Sequence, residues 1–186
     1  MTTISPAYLV EQQKLHQNPG YGVASVDLAP YVAAVIRSSG ASSLGDYGAG
    51  KCRLQTALRD LGIEVDYRPY DPAYPEYGGP QRADLVTCVD VLEHVEPDCL
   101  PAVLRELSQI TVRLGFFTVH TGPAVKHLSD GRNAHLIQRP MAWWLDNLST
   151  YFDIVSAEDL VPERDSAGFW VLVAPLSSKG GQSRRL

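Results

Sequence analysis

The stretch Ser42-Ser43-Leu44-Gly45-Asp46-Tyr47-Gly48-Ala49-Gly50-Lys51-Cys52 decides the fold. A short strand-type run enters a glycine pair, and residues 51–61 then carry helical periodicity up to Gly62, a natural helix stop. Strand, glycine turn and helix in that order belong to an open α/β sheet, whose ligand crevice lies beyond the carboxyl ends of the strands. Glycines at such a turn let the backbone approach a ligand without a β-carbon, and the following helix presents its N-terminal amides.

Working outward, residues 63–70 predict a second strand ended by Asp71-Pro72, and the Tyr, Pro and Gly content of 74–80 predicts loop. Residues 84–89 form a buried-type strand and 97–110 a helix with Asp98 as its cap. Further strands are expected at 115–120, 152–160 and 169–174, with a helix at 140–148. Before the first strand, helices at 6–17 and 27–38 flank Asn18-Pro19-Gly20. The alternation predicts an α/β, Rossmann-like fold: a mostly parallel sheet, an antiparallel edge hairpin from the last two strands, and a shortened middle segment. One domain over 1–176 is expected, with 1–40 as an N-terminal helical cap and 177–186 as a polar, flexible tail.

Composition narrows the function classes. Of 186 residues, 45% are hydrophobic and 20% charged, which excludes a disordered, collagen-like or coiled-coil chain. Lys plus Arg number 16 against 21 Asp plus Glu, and the net charge of −5 argues against sequence-independent binding along a nucleic acid backbone, while a local basic pocket stays open. Cys52, Cys88 and Cys99 are odd in number and form no CxxC pair, so neither a disulfide framework nor a thiolate zinc site is expected, and a reducing cytoplasm is the default. No run approaches the ~18 apolar residues of a membrane span, and no targeting signal is visible.

Asp71 closes the second strand 25 residues after Asp46, where a carboxylate can accept hydrogen bonds from the two ribose hydroxyls of a nucleoside. The dinucleotide pattern GxGxxG fails, because counting from Gly48 places Arg53 at the last glycine. A triphosphate loop, GxxxxGK[ST], is matched over Gly45 to Cys52 at all but one residue, since Cys52 stands where a magnesium-binding hydroxyl is required, and it puts Asp46 inside the phosphate cradle. It remains the alternative reading of this loop.

Asp46, Gly48 and Gly50, then Asp71, then the block Ala83-Asp84-Leu85-Val86-Thr87-Cys88-Val89-Asp90-Val91-Leu92-Glu93-His94-Val95, resemble in order and spacing the class I S-adenosylmethionine-dependent methyltransferases. The resemblance covers roughly 42–174, with Cys52 in place of the family's third glycine. It implies S-adenosyl-L-methionine as cofactor, held by Asp46, Gly48, Gly50, Asp71, Pro72 and Val89. The 13 positions from Asp71 to Asp84 are too few for the helix and strand that many relatives insert there. Pro72, Tyr70, Tyr74 and Tyr77 are the candidates for contacting adenine in their place.

Asp90, Glu93 and His94 stand at i, i+3 and i+4, so one helical turn would put two carboxylates and an imidazole on one face. With His135 from the segment Asp130-Gly131-Arg132-Asn133-Ala134-His135, they resemble the DxxEH or ExxEH plus downstream His pattern of two methyltransferase groups, the small-RNA 3′-terminal 2′-O-methyltransferases and the ubiquinone-pathway O-methyltransferases. The resemblance implies a divalent ion on Asp90, Glu93, His94 and His135, with Mg, Mn and Zn all compatible with mixed O/N ligands, and methyl transfer to a hydroxyl, often one of a vicinal pair. Without a metal, His94 or His135 is the candidate general base and nitrogen acceptors stand level with oxygen. A cofactor-binding partner subunit without catalysis is a third class.

His120 and His127 are further crevice candidates, whereas His16, inside the first helix, has little claim. One of Trp143 and Trp144 is expected in the core and the other at a substrate wall. Tyr21-Gly22 is a candidate lid, and Arg132 and Arg139 are candidate partners for an anionic substrate. The expected partner is a small molecule or a nucleic acid terminus, with no membrane; an oligomer is compatible with the sequence but not legible in it.

Overall fold

A computed structural model describes residues 2–160 and 168–177. Six strands form one sheet: β1 (Ser43–Tyr47), β2 (Asp66–Tyr70), β3 (Ala83–Val89), β4 (Thr111–His120), β5 (Phe152–Asp159) and β6 (Gly168–Pro175), in the spatial order β2-β1-β3-β4-β6-β5. Pairings from β2 through β4 are parallel, while β6 runs antiparallel to both β4 and β5. The strand order reverses at β1, which has β2 on one side and β3 on the other, and this opens the crevice at the carboxyl ends of β1 and β3.

Helices cover both faces. On one side lie α2 (Ala24–Ser39) and α3 (Arg53–Asp60), where Val32, Ala33 and Ile36 meet Leu54 and Leu58 over Leu44, Leu85 and Phe116. On the other lie α4 (Leu100–Ile110) and α5 (Met141–Leu148), which bury Val103, Leu107, Trp144 and Leu148 against Val86, Phe117 and Val171. With both faces covered, β1 is buried along its whole length. Residues 71–82 contain only a 3-10 turn, Pro75–Tyr77, so β2 is a sheet edge.

Several boundaries differ from expectation for local reasons. The third helix begins at Arg53, because Cys52 before it takes a left-handed φ of 53°. β2 begins only at Asp66, since the amide of Ile63 still bonds back to Leu58 at the helix end. The expected helix 97–110 is a 3-10 turn, Pro97–Cys99, followed by α4, and Asp98 makes no capping bond. β4 starts at Thr111, directly on the end of α4. α2 starts three residues early and carries Pro30 within it. Residues 178–186 of the expected tail lie outside the described residues. Among the described residues no helix is long and apolar enough to cross a membrane.

A cap helix, α1 (Pro6–His16), lies across the crevice mouth. Ser5 caps it by accepting from the Tyr8 amide at 3.1 Å, and the same Ser5 docks it to the body by donating its amide and hydroxyl to Glu96 at 2.7 and 2.8 Å.

Candidate active site

The carboxyl ends of β1, β2, β3 and β4, the cap helix and the loop 121–135 enclose a cavity of about 420 Å³. That size suits a small organic ligand. Gly48, with φ +83°, turns the chain after β1; a β-carbon there would stand 2.3 Å from a Val91 methyl. The amides of Gly48 and Ala49 donate to the Tyr70 carbonyl at 2.8 and 3.0 Å, and that of Gly50 donates to Asp71 Oδ2 at 3.0 Å. With these amides engaged by the protein, the loop is not a phosphate cradle, which removes the structural basis of the triphosphate reading.

Asp71 is 6% exposed and also accepts from the Ala73 amide at 2.8 Å; burial raises its carboxyl, and His16 stands 3.8 Å away. Its carboxylate, Pro72, Val89 and both glycines line the cavity together. Asp46 lies deeper. It accepts from the Tyr67 hydroxyl and, at 2.9 Å, from Thr87, and burial lifts its carboxyl to about 6 despite both bonds. Its first role is to tie β1 to β2 and β3 beneath the glycine turn. Tyr70 lines the cavity, whereas Tyr74 and Tyr77 stack on each other outside it at 5.3 Å.

Glu93, His94 and His135 offer ligand atoms that all lie within 4.8 Å of one another. The Glu93 side chain is fully buried; Oε1 accepts from the His120 amide at 2.9 Å, while Oε2 has no partner among the described residues. Burial, and then the charge of Asp90, hold its carboxyl well above the ordinary range. The two imidazoles contact backbone carbonyls through Nδ1: His94 with Ala134 at 2.8 Å and His135 with Gly122 at 2.7 Å. A carbonyl only accepts, so each ring carries its proton on Nδ1 and leaves the Nε2 lone pair free, the arrangement found behind metal-ligating histidines. Burial pushes His94 down to about 4 and lowers His135 too, so both rings are neutral at pH 7.

Asp90 departs from the expected helical face. The chain takes a left-handed φ of 51° at Asp90 and then only a 3-10 turn, Leu92–His94. Its Oδ1 accepts from the Thr118 hydroxyl at 2.6 Å, and it is not part of the close set of ligand atoms. It lines the cavity beside them.

The cap supplies Tyr8 and Gln12, which sequence reasoning missed, alongside Tyr21, which was expected as part of a lid and lines the cavity. The Tyr8 hydroxyl donates to the His94 carbonyl at 2.6 Å and accepts from Gln12 Nε2 at 2.6 Å. Tyr21 sits edge-on to His94, 6.2 Å away, with the Lys126 ammonium 4.8 Å over its ring. His16, expected to have little claim, lines the cavity: its ring stands 3.3 Å from where a Gly50 β-carbon would be and meets Tyr21 and Tyr74 edge-on. The available signal was the polar residues at 12 and 16 aligned with Tyr8 on one helix face.

His120 lines the cavity with its ring 4.8 Å from His135, whereas His127 is exposed and does not. Trp144 is fully buried in the core; Trp143 stays outside the cavity, with Arg139 5.9 Å over its ring. Arg132 pairs with Asp130 at 2.7 Å on the surface.

No family model and no curated protein sequence matches the chain. Solved structures match it in fold. The 1,6-didemethyltoxoflavin-N1-methyltransferase of Burkholderia thailandensis, solved with S-adenosylhomocysteine, is 15% identical with a TM-score of 0.61 over 92% of this chain and 89% of its own. Mitomycin 7-O-methyltransferase is 15% identical with a TM-score of 0.65; the match covers 91% of this chain and 60% of that one. The methyltransferase domain of a bacterial Hen1 protein is 16% identical with a TM-score of 0.57, over 78% and 96%. The fold is that of the class I methyltransferases, with the middle segment shortened to residues 71–82 so that β2 is left at the sheet edge.

Proposed function

We propose that this chain is an S-adenosylmethionine-dependent methyltransferase that methylates a hydroxyl, assisted by a divalent cation on Glu93, His94 and His135. The observation that supports the metal is the unpartnered Oε2 of a fully buried Glu93 facing two neutral imidazoles. A buried carboxylate oxygen without a partner is costly, and a cation is the ligand that relieves it. The donor set, one carboxylate and two imidazoles, fits Mn or Zn, and Mg less well because it prefers oxygen.

The chain's own groups assign the roles. Asp71 would accept from the ribose hydroxyls of the cofactor, its carboxylate held in place by the amides of Gly50 and Ala73. The Gly48 turn gives the cofactor backbone close access, and Val89 and Pro72 supply apolar wall. S-adenosylmethionine supplies a sulfonium methyl electrophile. A divalent cation at the cluster supplies Lewis acidity that lowers the pKa of a hydroxyl. The Ala134 and Gly122 carbonyls fix both imidazoles in the Nδ1–H tautomer, and Tyr8 holds the His94 backbone. Asp90, tied to Thr118, is the carboxylate placed to receive a proton at the rim of the cluster. Tyr21 and Gln12 of the cap line the cavity, where they would restrict water from the transfer path. A His94 general base is disfavoured by its low basicity, since a base near pKa 4 is poorly matched to neutral pH.

Calorimetric titration of S-adenosylhomocysteine and of Mn, Zn and Mg tests this. The expected result is cofactor binding that is lost in Asp71→Ala, and metal binding that is lost in His135→Ala while the cofactor still binds. Absence of cofactor binding in the unmodified chain overturns the methyltransferase reading; cofactor binding without metal binding overturns the cation and leaves the methyl transfer standing.

A further inference from the structure

Three cations converge on the cap loop at the mouth of the cavity. Lys51 Nζ donates to the Asn18 carbonyl at 3.0 Å, the Arg53 guanidinium donates to the Pro19 carbonyl, and Lys126 Nζ donates to the Gly20 carbonyl at 3.4 Å. Each of three consecutive carbonyls is thus held by one cation, Lys51 from the turn before α3, Arg53 from the first residue of α3 and Lys126 from the loop 121–135. Two residue steps span at most ~7 Å of backbone, so the charged heads are crowded. Among the described residues no ion pair joins any of the three to a carboxylate, although the chain carries 21 acidic residues against 16 Lys and Arg. The crowding is felt at Lys51, whose ammonium is lowered by desolvation and then by Arg53 and Lys126.

Neutral carbonyls compensate such a cluster weakly; an anion with several oxygens compensates it well, through charge-assisted bonds. The position connects the cluster to the chemistry. Gly20, Tyr21 and Lys126 line the cavity, and two short steps, 4.8 Å from the Lys126 ammonium to the Tyr21 ring and 6.2 Å from there to His94, join the patch to the candidate metal cluster.

We propose that Lys51, Arg53 and Lys126 form a phosphate-binding rim, and that the acceptor carries a phosphate group several bonds from the hydroxyl to be methylated. The inference rests on the methyl-transfer reading above. Phosphate is favoured over a carboxylate because its oxygens can accept from three convergent cations at once. A phosphomonoester on a small molecule and the phosphodiester of a nucleic acid end present the same group, and the two are separated by experiment.

Binding is measured with S-adenosylhomocysteine and Mn present, on the full chain and on Lys51→Gln/Arg53→Gln/Lys126→Gln. The probes are glycerol 3-phosphate against glycerol, and a single-stranded RNA hexanucleotide against adenosine, so that each phosphate probe has a counterpart with the same vicinal hydroxyls and no phosphate. At least one phosphate probe is expected to bind ten-fold or more tightly than its counterpart, and the triple variant to lose that advantage while its S-adenosylhomocysteine affinity is unchanged. An advantage confined to glycerol 3-phosphate identifies a small phosphomonoester. One confined to the hexanucleotide, with a salt slope that falls by about one per charge removed, identifies a nucleic acid end. The single variants Lys51→Gln and Lys126→Gln, expected to give partial losses, carry the test if the triple variant does not fold. Equal binding of each probe and its counterpart, or variants that bind phosphate as the unmodified chain does, overturns the proposal. Titrations repeated without cofactor and metal keep the rim readable if S-adenosylhomocysteine fails to bind, a result that counts against the methyl-transfer reading instead.

Discussion

Replacing Glu93 by Gln should make the metal-free protein more stable and at the same time indifferent to metal. Oε2 of Glu93 is buried and unpartnered, a condition that costs about 1–3 kcal/mol. An amide nitrogen in its place can donate toward the imidazoles of His94 and His135, whose ligand atoms lie within 4.8 Å, while the remaining oxygen keeps the bond from the His120 amide. For a chain of this size each kcal/mol moves the melting temperature by ~2–4 °C, so metal-free Glu93→Gln should melt roughly 2–12 °C above the unmodified chain. The sign with pH follows from the direction of the shift. The folded state holds the Glu93 carboxyl above its unfolded value of 4.5, so the stability of the neutral form is fully present below that value and is lost as pH rises through the folded one. The advantage of Gln should therefore grow from pH 5 to pH 8. With Mn or Zn at 100 times its Kd, the unmodified chain should gain ~2.7 kcal/mol, while Glu93→Gln should gain little. Thermal denaturation at both pH values, with and without each ion, reads all of this. A Glu93→Gln protein that melts lower than the unmodified chain without metal, or that rises equally with it, refutes the reasoning.

Three further outcomes follow from the geometry. Gly48→Ala combines a positive φ with a β-carbon 2.3 Å from Val91 and should destabilise by ~2–4 kcal/mol in urea titration. Adding Val91→Ala should recover the steric part and not the conformational part. Asp71→Asn removes a charged acceptor and should weaken S-adenosylhomocysteine binding by roughly 10–100-fold in calorimetry, an interaction of about 1.5–3 kcal/mol; unchanged affinity would remove Asp71 from the cofactor site. Asp46 is held near 6 against 3.8, so its contribution is present at pH 4 and lost as pH rises through 6. Between pH 4 and pH 7 the stability difference between Asp46→Asn and the unmodified chain should move ~2 kcal/mol in favour of Asn, as read by urea unfolding at the two pH values.

The local rules that were legible in the chain are those with a short range. Glycine at 48 and 50, an acid closing the next strand and the apolar run 84–89 follow from steric and burial requirements within a few residues, so the mostly parallel sheet and the shortened segment after β2 could be anticipated, whereas the strand order that puts β2 at the edge came from the structure. The hairpin of β5 and β6 was visible for the same reason. What failed was local geometry under tertiary constraint. Periodicity placed Asp90, Glu93 and His94 on one helical face, but the bonds between Asp90 and Thr118 of the neighbouring strand draw the first of them away and leave only a 3-10 turn for the others.

The sequence by itself determined the scaffold and named Glu93, His94 and His135, because strand, turn and helix signals arise from backbone sterics and from the alternation of apolar side chains. Only the tertiary structure decided which polar groups meet. His16 lies 55 residues from Asp71 in the chain and 3.8 Å from it in space, and Lys51, Arg53 and Lys126 share one loop. Such meetings depend on how the cap packs over the crevice, and no periodicity within one segment encodes the distance between two segments.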